Sequence, residues 1–445
     1  MTTKKTKPSP SPDPNTIFAG LLQDLPPETA DLAREFKAFA RARKIKTVAE
    51  LLRAVLLYAG LDHSEREVAA NMTLVNPAIR TISDEAISKR LRACQPWLEA
   101  LLPRLLERDE LPALPSGLSL LVIDATDVTA PGETKTTWRL HLMLSLVSLQ
   151  LVCVHLTDRR SGETLYNFTF QPGEVVMADR GYSHRKGVAH LLECGGQVIV
   201  RYNPHQLPVQ DRDGKPLDVA AALSDCESGE RRTLEAQFTA PSGKTYPVWI
   251  HAQRLTGETA EVARRRCRRQ GQKCGYTPKQ TTLLLAEFVM VMTSISPEVL
   301  SAETVLALYR GRWQVELLIK RYKSLLHLDQ LRARAGSVRG KVWMLGKLIY
   351  AALVERRARR RCGPEWTRLD EERSGTWWRV WKMIQREIAP LITLEQCWVE
   401  ESWPAALRVL AERRRKRRLQ SLPAEVVIWL HQPTQAANKA LKMVA

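Results

Sequence analysis

Two apolar runs, Leu118–Ile123, broken only by Ser119, and Val175–Ala178, are each followed by an aspartate, and this repeated pattern constrains the fold more than any other feature. A strand with one wet face alternates apolar and polar residues, whereas an unbroken run needs cover on both faces. Trp138–Leu146 and Leu149–Leu156 read as a hairpin between the two runs, and a helix over His184–Cys194 leads to a further strand at Gln197–Arg201. Strands that lead into helices predict an α/β layer. In such sheets sites assemble beyond the carboxyl ends of strands, which makes Asp124 and Asp179 candidates. Either aspartate alone reads as readily as a turn or helix-cap residue.

Before Pro115 the period is helical. Val48, Leu51, Leu52, Val55 and Leu56 fall on one helix face. Ser64 and Glu67 fit a capping box, Asn76-Pro77 is a breaker, and Ser83–Arg92 opens a second capped helix with a basic surface. Residues 1–15, rich in Pro, Lys and Ser, predict a disordered tail, and 16–114 a helical domain. Two short helices around a turn suit a helix-turn-helix DNA reader, and equally a small bundle that never touches DNA.

Residues 203–280 are turn-rich, with alternating stretches such as Val248–Ala252, and predict a β-rich insertion that carries a basic helical segment at Arg264–Arg269. A strand at Leu283–Thr293 and a long helix over Ser301–Leu331 are expected next. The rest, 336–445, is helical, rich in Trp and Arg, and a candidate dimerisation region. Trp377, Trp378 and Trp381 recur at helical spacing and are expected in a core or interface.

With 67 Lys+Arg against 48 Asp+Glu, the formal charge of +19 favours a polyanionic partner, of which nucleic acid is the commonest. The runs Arg264–Arg269, Arg356–Arg361 and Arg413–Arg418 are candidate backbone contacts, although any one of them suits a solvated face. The longest apolar stretches, Leu142–Leu156 and Val342–Val354, are shorter than the roughly 18 residues a membrane span requires and carry polar residues. No signal peptide is visible. The eight cysteines are scattered without zinc spacing, which points to reduced thiols in a cytoplasmic protein.

Tyr309, Arg312, Glu316, Lys320 and Lys323 lie 3, 4, 4 and 3 residues apart. At about 100° per residue they share an arc of roughly 80° on one helix. Val315, Leu318, Tyr322, Leu325 and Leu326 form the opposite, apolar stripe. The polar face thus sets one carboxylate among a phenol and three cations. Its plain alternative is a solvated face with an i,i+4 pair such as Glu316 with Lys320.

Asp124-Ala-Thr126, Asp179-Arg180-Gly181-Tyr182 and Tyr309-x2-Arg312-x3-Glu316-x6-Lys323 resemble the signature of bacterial insertion-sequence DDE transposases, in the group with the Tyr-Arg-Glu-Lys motif. The likeness spans residues 45–355 or so, and its joint spacing is specific. It implies a ribonuclease-H-like core of the retroviral-integrase type over 115–202 and 281–335, interrupted by the β-rich insertion. Asp179 and Glu316 stand 137 residues apart, which leaves room for it. It also implies that Asp124, Asp179 and Glu316 are catalytic and hold two Mg²⁺ ions, with Mn²⁺ able to substitute. Arg180, Tyr309, Arg312, Lys320 and Lys323 would contact DNA. The family's hairpin intermediate calls for an aromatic that stacks on a flipped base. No Trp lies between Trp249 and Trp313, so Phe288 is the candidate by position, with a core role as its alternative.

The chemistry accounts for these residue types. Phosphodiester cleavage and strand transfer pass through a crowded anionic transition state, which two divalent ions can neutralise. Hard cations take oxygen ligands, and three convergent carboxylates repel one another without a cation. A glycosidase would need a carboxylate pair but gives Arg312 and Lys323 no role. The expected function is cut-and-paste transposition in the bacterial nucleoid by a homodimer that pairs terminal inverted repeats and inserts them into target DNA. Two rivals are a transposase-derived DNA-binding protein without cleavage, and a ribonuclease-H-like nuclease that does not transpose.

Overall fold

A computed structural model of the chain describes residues 14–75, 82–106, 119–334, 336–363 and 376–394, together with 424, 426 and 428. Six helices come first: α1 (Pro14–Leu22), α2 (Thr29–Glu35), α3 (Val48–Val55), α4 (Glu65–Val75), α5 (Asp84–Ala93) and α6 (Gln95–Leu105). α1 opens inside the segment expected to be disordered, at a proline whose fixed φ suits a first helical turn. The capping box ahead of α4 is present: the Ser64 amide donates to Glu67 at 2.6 Å, and the Glu67 amide to Ser64 Oγ at 3.3 Å. Ser83 Oγ accepts from the Ala86 amide at 3.3 Å and caps α5, which packs against α4. The Asn76-Pro77 breaker between them lies outside the described residues.

Eight strands form one mixed sheet. They are β1 (Ser119–Val128), β2 (Trp138–Ser145), β3 (Leu151–Asp158), β4 (Glu174–Ala178), β5 (Gln197–Arg201), β6 (Arg231–Thr239), β7 (Thr245–Arg254) and β8 (Phe288–Thr293). Their order is β3-β2-β1-β4-β5-β8-β7-β6. β1 with β4 and β4 with β5 are parallel, the second pair joined through α7 (Arg185–Glu193), and all other pairs are antiparallel. The continuous apolar runs are covered on both sides, as expected. Leu120, Val122, Val175 and Met177 face one apolar core, while Leu121, Ile123, Val176 and Ala178 face another.

Residues 203–280 depart from a β-rich insertion in two ways. About three quarters of the segment is helical or looped, with α8 (Val219–Ala222) and α9 (Gly257–Lys273) flanking the hairpin of β6 and β7 in sequence. That hairpin pairs with β8 and prolongs the main sheet. An unpaired β8 edge would leave a row of backbone donors and acceptors without partners, and β7 supplies them. The strand expected from Leu283 begins only at Phe288, because α10 (Gln280–Ala286) takes the preceding residues. Glu287 at the junction is clamped by Arg254 at 2.9 Å and Arg264 at 2.6 Å.

The expected long helix over Ser301–Leu331 is broken. α11 (Ala302–Tyr309) is followed by a 3₁₀ turn at Arg310–Arg312 and then α12 (Trp313–Leu326). α13 (Val338–Cys362) is buried around most of its circumference and packs against α6, α12, α14 (Trp377–Thr393) and a π-helical turn at Leu56–Gly60. The approach to that turn is close. A Cβ at Gly346 would sit 2.7 Å from Ala59 Cβ and 2.9 Å from Val55 Cγ1, so only glycine fits. The N-terminal and C-terminal helices therefore share one apolar core, which holds Trp377 and Trp381.

Residues of the Arg356–Arg361 run make ion pairs with buried carboxylates of this core. Arg357 and Arg361 reach buried Glu387 at 2.9 and 2.8 Å, Arg357 and Arg360 reach buried Asp24 at 3.2 and 2.6 Å, and Arg356 donates to the Leu105 carbonyl at 3.0 Å. Buried carboxylates demand cations, and consecutive arginines on one helix supply them. Arg413–Arg418 lie outside the described residues. The described cysteines are free thiols, and no described helix is long and apolar enough to cross a membrane.

Candidate active site

β1 and β4 run side by side in parallel only as far as the pair Ile123 and Ala178. β4 stops there, so Asp124 and Asp179 stand next to each other on neighbouring chains, whose spacing in a sheet is about 4.8 Å. Asp124 is not beyond its strand, as the apolar run suggested. β1 continues to Val128 on its pairing with β2, and Asp124 sits opposite Leu142. The cap reading of Asp179 is set aside, since its side chain makes no capping bond to the 3₁₀ turn Arg180–Tyr182. Its Oδ1 instead accepts a hydrogen bond from the Tyr309 hydroxyl at 3.2 Å.

The 3₁₀ turn decides how the third acid arrives. With three residues per turn, positions i and i+3 eclipse, which sets Arg312 directly after Tyr309 on one side. The Arg312 guanidinium lies 5.8 Å from the centre of the Tyr309 ring. It donates to Glu316 Oε1 at 2.6 Å and approaches Asp124 Oδ2 at 3.9 Å. Tyr309, at the end of α11, and Arg312, at the end of the turn, thus touch all three carboxylates. Glu316 pairs with Arg312 rather than with Lys320, the partner expected for a solvated face. Lys320 is exposed and Lys323 half-buried, and neither has an ion-pair partner among the described residues.

The charges are not balanced. Burial pushes the Asp124 carboxyl up to about 6, against the pull of the Ala125 amide and Arg312, and Glu316 adds to the rise. Burial also raises the Tyr309 hydroxyl, helped by the Asp179 charge, so it stays protonated as a donor. Asp124 therefore binds protons more readily folded than unfolded, where its value is near 3.8. Its ionised form costs stability that is fully present above pH 6 or so and vanishes below pH 4 or so. Asp124→Asn in EDTA is expected to raise the melting temperature by a few degrees near neutral pH, from a cost of order 2–3 kcal/mol, and to leave it unchanged at about pH 4. Calorimetry at the two pH values checks this.

A transposase DDE domain matches residues 115–351. The InsL transposase of insertion sequence element IS186A from Escherichia coli K12 is 34% identical over 336 residues, covering 74% of this chain and 90% of that protein. The transposase of insertion sequence element IS421 from Escherichia coli is also 34% identical, over 337 residues and the same shares. The chain belongs to the DDE transposase family. It is an insertion-sequence DNA transposase, DNA is its substrate, and its family's chemistry depends on a divalent metal.

The residues of this transposase fit such an ion by donor type. Three carboxylates offer only hard oxygen ligands, and Asp124 is mostly buried without full compensation. Among the described residues no three acidic, His or Cys side chains yet surround a single point, and the Arg312 guanidinium lies between Asp124 and Glu316. Arg180 is exposed beside the site, with Asn203 at 3.5 Å.

Phe288 takes the core position that was its alternative in this transposase. It is 4% exposed at the start of β8, within the second apolar core, and Arg254 covers its ring at 5.7 Å. β8 is covered on both faces along most of its length, and Phe288 lies within that cover. The sequence reading passed over Trp313, which follows Arg312 directly and is 43% exposed. Its position after the turn was the available signal, since the apolar stripe of α12 does not include it.

Proposed function

We propose that Asp124, Asp179 and Glu316 are the catalytic carboxylates of a cut-and-paste transposase and the ligands of its divalent ions, two Mg²⁺ replaceable by Mn²⁺. The observation that carries this is the convergence of the three acids through Tyr309 and Arg312. The order β3-β2-β1-β4-β5 with its parallel β1, β4 and β5 supports a ribonuclease-H-like core of the retroviral-integrase type. The bound ions supply activation of the attacking oxygen and charge relief at the leaving one.

The chain's own residues do the rest. Tyr309 orients Asp179 by donating to Oδ1, and Arg312 keeps Glu316 and Asp124 from splaying apart. Arg312 has a fork suited to a phosphate, and Lys320, Lys323 and Arg180 add point charges and a second fork around the acids. Exposed Trp313 is better suited than Phe288 to stack on a base, which is worth roughly 1–3 kcal/mol. α4 and α5 are candidate readers of the terminal inverted repeats, and pairing two ends calls for a homodimer. Cleavage through a hairpin and insertion into target DNA complete the reading.

The test is incubation of the protein with a duplex that carries its element's end, with Mg²⁺, Mn²⁺ or EDTA, followed by denaturing gels and sequencing of joined products. Metal-dependent nicks, hairpin-sized strands and end-to-target junctions are expected. Cuts without junctions would reduce the protein to a nuclease, and binding without cuts to a DNA-binding protein.

A further inference from the structure

The loop between β3 and β4 brings another acid to the three. Glu163 stands on this loop, and its carboxylate rests against the backbone of Gly181 in the Asp179-Arg180-Gly181-Tyr182 segment. A Cβ built at residue 181 would run into Glu163 Oε2 and lie 3.2 Å from its Cδ. Gly181 does not occupy the left-handed region, so its backbone does not require glycine. The missing side chain makes room for a carboxylate.

The loop is held in place. His184 Nδ1 accepts from the Gly187 amide at 3.3 Å, which leaves the proton on Nε2, and Nε2 donates to the Glu163 carbonyl at 3.0 Å. Next in the chain, Thr164 caps a 3₁₀ turn whose Leu165 is fully buried. A solvated loop acid would need none of this. The Glu163 carboxylate has no hydrogen-bond or ion-pair partner among the described residues, yet its charge is felt at Asp124.

A second feature points into the same place. Tyr182 is 0% exposed, and its hydroxyl is buried with no hydrogen-bond partner among the described residues. Burial first, then the charges of Asp124 and Glu163, keep that hydroxyl protonated. A buried donor without a partner among the described residues, close to the charges of Asp124, Asp179 and Glu163, points to a polar site rather than a packed core.

We propose that Glu163 is a fourth acidic group of the cation site, adding its charge and accepting hydrogen bonds from the waters that a bound Mg²⁺ retains. Gly181 is the residue that admits it. This rests on the reading of Asp124, Asp179 and Glu316 as metal ligands. Outer partners of a metal site typically change its affinity by about 10–100-fold.

The experiment is Mn²⁺ binding to the full chain, read from the loss of the free-ion electron paramagnetic resonance signal, with thermal melts as a folding control. Glu163→Gln is expected to raise the Mn²⁺ Kd by roughly tenfold or more at an unchanged melt. Unaltered Mn²⁺ affinity in Glu163→Gln with affinity lost in Asp124→Asn would overturn the role of Glu163 alone. Unaltered affinity in both would overturn the three-carboxylate reading as well. A double-mutant cycle on the same binding measurement gives a second readout. Gly181→Ala is expected to push the flexible Glu163 carboxylate aside and raise the Mn²⁺ Kd in the native background, with little further change in a Glu163→Ala background. Equal changes in the two backgrounds would mean that Glu163 does not act from the space at Gly181.

Discussion

Replacement of Glu316 by glutamine is expected to abolish metal-dependent strand cleavage while the protein still folds and binds its element's end. Glutamine has the shape of glutamate, and its carbonyl oxygen can still accept from Arg312, so the 2.6 Å contact at the start of α12 survives in kind. What is lost is the negative charge. Charge relief by a metal contributes several kcal/mol to such transition states, which corresponds to a rate loss of roughly 10³-fold or more. Single-turnover nicking of an end-bearing duplex measures the loss, and a mobility-shift assay on the uncut duplex checks binding. Cleavage at the native rate would remove Glu316 from the catalytic set. Asp124→Asn should be equally inactive and, unlike most substitutions, more stable than the parent in EDTA. Inactivity with raised stability is the mark of a site held under unfavourable charge.

The second large effect concerns stability. Asp62 sits at the end of the π-helical turn with φ of 60°, a conformation that Asp tolerates better than most residues. Its Oδ1 pairs with Lys347 at 2.6 Å and accepts from Trp343 Nε1 at 3.2 Å, while Arg332 stands at 3.7 Å. Lys347 is 0% exposed on α13, and burial lowers its ammonium to about 8. Asp62→Ala leaves that charge buried without its carboxylate, at an expected cost of about 3–5 kcal/mol. Lys347→Met keeps the length and removes the charge, and Asp62 retains Trp343 and Arg332, so its loss should be much smaller. Denaturant melts of both single variants and of the double decide the matter. Equal losses in the two singles would show that the pair acts through packing alone. Because α13 backs α12, the cleavage rate of Asp62→Ala at low temperature reports whether the support reaches the site.

Much of the local structure was legible because it depends on neighbours in the chain. The capping box of Ser64 and Glu67 and the cap at Ser83 form within one helical turn, so short motifs carry them. Trp377 and Trp381 were expected inside by periodicity and are buried. Distant pairings were less legible. The run Arg356–Arg361 looks the same whether it meets phosphates or Asp24 and Glu387. Likewise, the hairpin of β6 and β7 shows no sign of the sheet it will join. Phe288 illustrates the limit at one residue, since position offered it as a platform and the packing on both faces of β8 buried it.

The site divides along the same line. Sequence by itself determined that Asp124 and Asp179 follow buried runs and that Glu316 shares a helical surface with Tyr309 and Arg312, because strand burial and helical periodicity act over a few residues. Only the tertiary structure decided what those acids touch. β4 ends level with Asp124, a 3₁₀ turn swings Tyr309 toward Asp179 and Arg312 toward Glu316 and Asp124, and a tethered loop delivers Glu163 against Gly181. These contacts join residues up to 188 positions apart, from Asp124 to Arg312. Their geometry depends on where each element ends and how the sheet is ordered, and no local propensity encodes either one.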